Sequence, residues 1–428
     1  MRVTHIVPGA GGTFYCPNCM RDCSLVHALR RHGHAITMVP MYLPVLIDTK
    51  GITEDVPVFF GGINVYLQQK IPFFRHTPRW LDKLFDAAWM LHQAAMREAS
   101  TEAAGLGPLT LSMLQGADGN QKKELDRLIK WLVEHEKPEI IHISDSLLLG
   151  LAGELKRALG VPIVCTLQDE ENWLDDINPP YDKQCWDEMS RHGQDVDMFI
   201  SVSEWYAGEM CERMNIERER MSVVPLGIDL EDRPAAAMTF DPPVIGYLSK
   251  MTPSLGLGVL TEAFIELKQR PGLENLKLRA TGGQHGHDMT FVQGLKRDLA
   301  NHGIESDAEF LDDFDGTGRG AFLQSLSVLS VPAPRGEAFG MFIPEALAAG
   351  VPVVQPRVAA FPEVVEATGG GILYEPDGKN ALADALEPLL RDPERARQLG
   401  QEGRAAVQAK FGIDRMAQDF AAIYEGLV

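Results

Sequence analysis

Two glutamates, Glu337 and Glu345, stand eight positions apart and bracket Phe339-Gly340-Met341-Phe342 inside the run Pro334–Val354. An apolar, strand-like pattern lies on each side, so the run reads as strand, glycine turn and helix start. Phe339, Gly340 and Met341 then fall at a helix N-terminus, where backbone N–H groups and the helix dipole favour a phosphate. Gly340 carries no side chain to block a ligand, and Arg335 supplies a nearby cation. Glu337 is expected before the turn and Glu345 two turns into the helix, facing one ligand from different heights. A carboxylate repels phosphate but accepts hydrogen bonds from sugar hydroxyls. The chemistry suggested is that of a sugar nucleotide, with diphosphate on the helix end, ribose at one carboxylate and sugar at the other. Two glutamates alone would be better read as the solvated side chains of an ordinary strand–loop–helix unit.

The whole segment adds more. It resembles the nucleotide-sugar site of the family-four retaining glycosyltransferases (glycosyl transferases group 1), which have the GT-B fold. Glu337, Phe339, Gly340, Glu345, Ala346, Ala348, Gly350, Pro352, Val353 and Val354 match that family's motif, while Ala333 and Ala338 depart from it. Ser201-Val202-Ser203-Glu204 and Val223–Asp229 look like the family's approach to its interdomain linker. The resemblance implies donor-sugar contact at Glu337, ribose contact at Glu345, and amides of Phe339 to Phe342 on the distal phosphate. Gly11 and Gly12 match a glycine loop beside donor and acceptor, and Gly282 opens a loop lining the nucleotide. Lys250 stands where the family has a phosphate-binding arginine, but Leu255 replaces the lysine expected five residues on. Arg335 is one candidate to make up the missing charge.

Two further departures lie in the N-terminal half. His142 matches the first histidine of a His-x-His pattern, whereas Ser144 replaces the second. Gln168 stands where the family often has a histidine near the reacting carbon. Glutamine can bond a sugar hydroxyl but cannot act as a general base. The resemblance tolerates this, because retaining transfer there is thought to use the leaving phosphate as base. Asp169, Glu170 and Glu171 offer acceptors for the hydroxyls or amine of an acceptor substrate, although a charge run is commonly a solvated face.

Other motifs are weaker. Gly9-Ala10-Gly11-Gly12 follows the first strand, but Met38-Val39-Pro40 ends without the acidic residue a dinucleotide site needs, so NAD is not expected. Cys16, Cys19 and Cys23, with His27 one helical turn beyond, have the ligand types for zinc or a cluster. Their spacing is that of small residues packing at a helix start, and no bound metal or other cofactor is expected. His285-Gly286-His287-Asp288 likewise reads as a loop.

These residues need a scaffold. The chain has 428 residues, enough for two or three domains, with 45% hydrophobic and 23% charged residues, as in ordinary globular proteins. A net charge of −20 disfavours nucleic acid and anionic membrane as partners. No apolar run reaches the roughly 18 residues of a membrane span. Met1–Pro8 reads as a first strand and not a signal peptide, which suggests a cytoplasmic protein with reduced thiols.

Strand-like runs alternate with helical periods throughout, predicting parallel βαβ units. The expected architecture is α/β: two Rossmann-like, doubly wound domains facing across a cleft. Residues 1–233 form the acceptor-side domain, with an insertion over about 43–135 that carries Trp80, Trp89 and a break near Gly105-Leu106-Gly107-Pro108. Residues 234–412 form the nucleotide-sugar domain, and 413–428 a helix crossing back. The expected activity is retaining, metal-independent, hexosyltransferase-like transfer from a nucleotide diphosphate-sugar to a small-molecule, lipid or glycan acceptor. A non-catalytic nucleotide-sugar-binding protein, or an epimerase on the same fold, are the alternatives.

Overall fold

The computed structural model describes residues 1–9, 15–42, 59–60, 62–77, 103–230, 235–236, 238, 240–284, 286–311 and 318–428. The chain divides into two compact units: Met1–Gly12, Asn18–Pro225 and Met416–Val428 in the first, Thr13–Pro17 and Leu226–Arg415 in the second.

In the first unit, β1 (Arg2–Val7), β2 (Ala35–Pro40), β3 (Ile140–Ile143), β4 (Ile163–Leu167), β5 (Met198–Ser201) and β6 (Met221–Val223) form one sheet, ordered β2-β1-β3-β4-β5-β6. Every pairing is parallel. β3 and β4 are buried along their whole length, which explains why they read as apolar runs broken only by His142 and Thr166. The order reverses between β1 and β3, so their carboxyl ends flank the switch point at which open α/β sheets bind ligands.

The last helix, Ile413–Glu425, buries Met416, Ala417, Phe420, Ala421 and Tyr424, a stripe at three- and four-residue spacing. Phe420 and Tyr424 bring that stripe against β3. The Phe420 ring lies 5.5 Å from the His142 ring, and the Tyr424 hydroxyl 2.8 Å from His142 Nδ1.

One local expectation fails. Gly105–Pro108 is not a break, because the helix Ala103–Leu114 runs through it with Pro108 inside. Proline cannot donate to the carbonyl one turn back, that of Ala104. Asn178 Nδ2 donates to that carbonyl instead, at 3.0 Å. Trp80 and Trp89 lie outside the described residues.

In the second unit, β7 (Val244–Leu248), β8 (Lys277–Thr281), β9 (Ala308–Phe310), β10 (Val328–Leu329), β11 (Val353–Pro356) and β12 (Gly371–Tyr374) are ordered β12-β11-β10-β7-β8-β9, again all parallel. The switch point lies between β7 and β10. The segments leaving those strands carry Lys250 and the Glu337–Glu345 run. Helix Phe342–Ala348 is buried throughout, with Phe342 against Phe361 at 5.8 Å between ring centroids.

Candidate functional site

Lys250 and the Glu337–Glu345 run lie at the switch point of the second unit. Glu337 and Glu345 are both buried, at 9% and 2% exposure. Glu345 sits in the first turn of its helix and not the second, because the helix begins only at Phe342. Gly340 has φ +79°, and a Cβ there would meet the Phe361 ring at 2.8 Å. Its glycine is therefore required by the turn and by packing, before any ligand is considered. Gly282 has φ +136°, and a Cβ would lie 2.1 Å from the Ser249 carbonyl oxygen, so the loops after β7 and β8 touch backbone to backbone.

Sequence reasoning missed two partners of Glu345. The Tyr15 hydroxyl donates to Glu345 Oε2 at 2.8 Å, and Arg319 Nε lies 3.2 Å from Oε1. The Tyr15 amide donates to the Gly282 carbonyl at 2.9 Å, so one residue ties the Gly282 loop to Glu345. Burial and then the Glu345 charge push the Tyr15 phenol well above its ordinary pKa, keeping it a donor. Nothing in the spacing of Tyr15 or Arg319 could have signalled this. Each reaches Glu345 only through tertiary folding.

Around Glu337 the link is Tyr247. Burial, then the Glu337 and Asp288 carboxylates, raise its phenol well above the usual value. Its hydroxyl donates to the carbonyls of Lys250 at 2.9 Å and Leu255 at 3.2 Å, closing the loop after β7. Lys250 Nζ lies 3.2 Å from Asp288 Oδ2, in the first turn of helix His287–Asn301. The cation expected to meet a diphosphate thus faces a carboxylate. Arg335 is exposed, and Arg319 is a cation held at Glu345. Asp288→Asn should therefore tighten nucleoside diphosphate binding about two- to fivefold at low salt, with the gain shrinking as salt is added. Calorimetry at two ionic strengths checks this, and an unchanged affinity would contradict it.

In the first unit, Gln168 is 4% exposed and its Oε1 accepts from Arg21 Nη1 at 2.6 Å. Arg21 is itself buried and pairs with Asp22 at 2.8 Å, while the Ser144 hydroxyl donates to the other Asp22 oxygen at 2.6 Å. Beside the Arg21 cation, a neutral carbonyl is a better neighbour than an imidazole that can gain charge, which accounts for glutamine at 168 and serine at 144. Gln168 contributes as a fixed polar wall, its carbonyl committed.

His142 is interior, at 1% exposure. Its Nδ1 lies 2.8 Å from His5 Nδ1 and its Nε2 2.6 Å from Thr166 Oγ1. Burial, with the nearby His5 and Arg21, holds its pKa well below the ordinary histidine value. It joins sheet to last helix and presents no face to an acceptor. Glu170 is also committed, accepting from the Ser146 amide at 3.0 Å, the Gln168 amide at 2.7 Å and the Tyr206 hydroxyl at 2.7 Å. Asp169 and Glu171 are half-buried, Asp169 at φ +60° where the chain turns into helix Glu170–Asp175.

Neighbouring Asp145 and Glu171 are each pushed up to about 8, Asp145 by burial and then Glu170, Glu171 by burial and then Asp169. A raised carboxyl pKa means the folded state holds protons that the unfolded state releases near pH 4. The contribution of these two groups should thus fall as pH rises from about 4 to 8 and level off above, against a rise up to about pH 6.5 from the depressed His142. Thermal midpoints across that range check the sign, and Glu171→Gln should flatten the slope.

Gly11, Gly12 and His285 lie outside the described residues. Cys16 and Cys19 are half-buried and Cys23 buried, and among the described residues no three His, Cys, Asp or Glu side chains are grouped to hold a metal ion. No helix among the described residues is long and apolar enough to cross a membrane.

Two doubly wound parallel units, with paired glutamates at the second unit's switch point, define a GT-B protein. The glycosyl transferases group 1 model matches residues 230–406, and the glycosyltransferase family 4 model residues 116–232. The chain belongs to the family-four glycosyltransferases. A D-inositol 3-phosphate glycosyltransferase of Corynebacterium glutamicum is 28% identical over 207 residues, 45% of this chain and 49% of that one. The chain thus spans about half the length of the first curated relatives it matches. A D-inositol 3-phosphate glycosyltransferase of Segniliparus rotundus matches at 24% over 396 residues, 85% of this chain and 84% of that one. Among solved structures, sucrose-phosphate synthase of Thermosynechococcus elongatus superposes with a TM-score of 0.72 at 17% identity, covering 100% of this chain and 99% of that one. HepE of Anabaena, in complex with UDP and glucose, gives 0.70 at 15%, covering 100% of both chains.

Proposed function

We propose that the protein is a retaining glycosyltransferase that moves a sugar from a nucleoside diphosphate-sugar to a hydroxyl-bearing acceptor without a metal ion. The observation that carries this is the pair of buried glutamates at the switch point, with Lys250 and the Gly282 loop beside them. In this reading Glu345 takes the ribose hydroxyls and Glu337 those of the donor sugar. The amides of Phe339 to Phe342 meet the distal phosphate, and Lys250 offsets charge on the leaving diphosphate. With the Gln168 carbonyl held by Arg21, the leaving phosphate takes the acceptor's proton. The Asp169 carboxylate, half-buried at the start of helix Glu170–Asp175, favours a neutral or amine-bearing acceptor over a phosphorylated one.

The pairing of Lys250 with Asp288 favours a second reading, a protein that binds nucleotide sugars without turning them over. A thermal-shift screen of UDP-, GDP- and ADP-sugars, followed by a donor-hydrolysis assay without acceptor, separates the two. Donor at a hundred times its Kd stabilises by about 2.7 kcal/mol. Slow hydrolysis of the stabilising donor is expected, whereas stabilisation with no hydrolysis supports the binder.

A further inference from the structure

Glu345 is 2% exposed and Tyr15 3% exposed, and the Tyr15 hydroxyl rests on one carboxylate oxygen while Arg319 holds the other. No ribose hydroxyl can reach a carboxylate this enclosed unless a neighbour leaves. Arg319 is fixed as the first residue of helix Arg319–Gln324, whereas Tyr15 precedes helix Pro17–Arg31 and is held in the second unit by side chain and amide. We propose that Tyr15 occupies the ribose subsite as an internal competitor, and that an entering nucleotide replaces its hydroxyl on Glu345 with a ribose hydroxyl. This rests on the reading of Glu345 as the ribose carboxylate. The exchange is balanced, since one O–H···O⁻ bond breaks and one forms, and no charge moves. Arg319 keeps the carboxylate oriented throughout. The phenol suits this role because it is a neutral donor near pH 7, and burial and Glu345 push it still further from ionising.

Competition and positioning have opposite signatures. A residue absent from the bound state weakens every nucleotide by the same factor, so removing its hydroxyl tightens all of them equally. A residue that stays to orient Glu345 matters only when there are ribose hydroxyls to bind. The test is calorimetry of UDP, GDP and ADP, and of their 2′,3′-dideoxy counterparts, with the full-length parent and Tyr15→Phe. Tyr15→Phe should tighten ribo and dideoxy forms alike, by about five- to tenfold, leaving their ratio unchanged. An unchanged affinity, a weaker ribonucleotide, or an altered ratio would overturn the proposal. N-Acetylimidazole labelling mapped by mass spectrometry gives a readout without substitution. Tyr15 should be acetylated in the presence of the bound nucleotide and protected in its absence, and protection under both conditions contradicts displacement. Failure of every nucleotide to bind both parent and variant overturns the ribose reading as well. Binding that Glu345→Gln weakens but Tyr15→Phe does not strengthen overturns this inference alone.

Discussion

Glu345→Gln is expected to weaken binding of the bare nucleoside diphosphate by about 10- to 100-fold. A carboxylate accepting from ribose hydroxyls contributes roughly 1.5–3 kcal/mol per charge-assisted bond, against about 1 for a neutral amide. Loss of the Tyr15 bond to the same side chain offsets part of that, which sets the lower limit of the range. The effect should be present without any sugar on the diphosphate, because the assignment concerns the ribose. Calorimetry with UDP, GDP and ADP measures it, with thermal midpoints reporting whether loss of the Arg319 partner has loosened the unit. Equal affinity in parent and variant would contradict the assignment.

Arg21→Met should have the largest effect on stability, about 3–5 kcal/mol, because it strands Asp22 as a buried charge and leaves the Gln168 carbonyl without a donor. In the first unit that corresponds to a midpoint lower by about 10 °C. Burial alone would raise the Asp22 pKa, but the Arg21 charge and hydrogen bonds from His5 and Ser144 outweigh it and hold it below the ordinary carboxylate range. In the parent this contribution is present above the unfolded pKa near 4 and is lost as pH falls through the folded value. In the variant the deficit should shrink in acid, since a protonated Asp22 needs no counter-ion. Calorimetric midpoints at neutral and acidic pH check both signs, and a constant deficit would place the loss in packing instead.

How much of this was legible in the sequence differs from residue to residue. The strands were, because a parallel sheet covered on both faces demands near-continuous apolar runs such as Val244–Leu248. The Glu337–Glu345 loop was also legible, since a glycine turn between a strand and a helix leaves a local trace. Pro108 misled, because the carbonyl it cannot serve is satisfied by Asn178, distant in sequence. His142 and Glu170 looked available because polar residues at strand ends usually are. Their partners, Tyr424 and Tyr206, come from separate helices, whose spacing marks them as buried but not which polar group each one meets. Tyr15, Arg319, Arg21 and Asp288 were silent for the same reason. Each is an ordinary residue made specific by one partner that only the fold supplies.

The most direct test is the configuration of the sugar that leaves the donor. Proton NMR can follow turnover of α-linked UDP-, GDP- and ADP-sugars by the full-length protein in chelator-containing buffer, with and without hydroxyl-bearing acceptors. Release of nucleoside diphosphate together with an α-configured product ahead of mutarotation, abolished in Glu337→Gln, is the expected result. A β-configured first product, or tight binding of nucleotide sugars with no turnover under any condition, would contradict retaining transfer at this site.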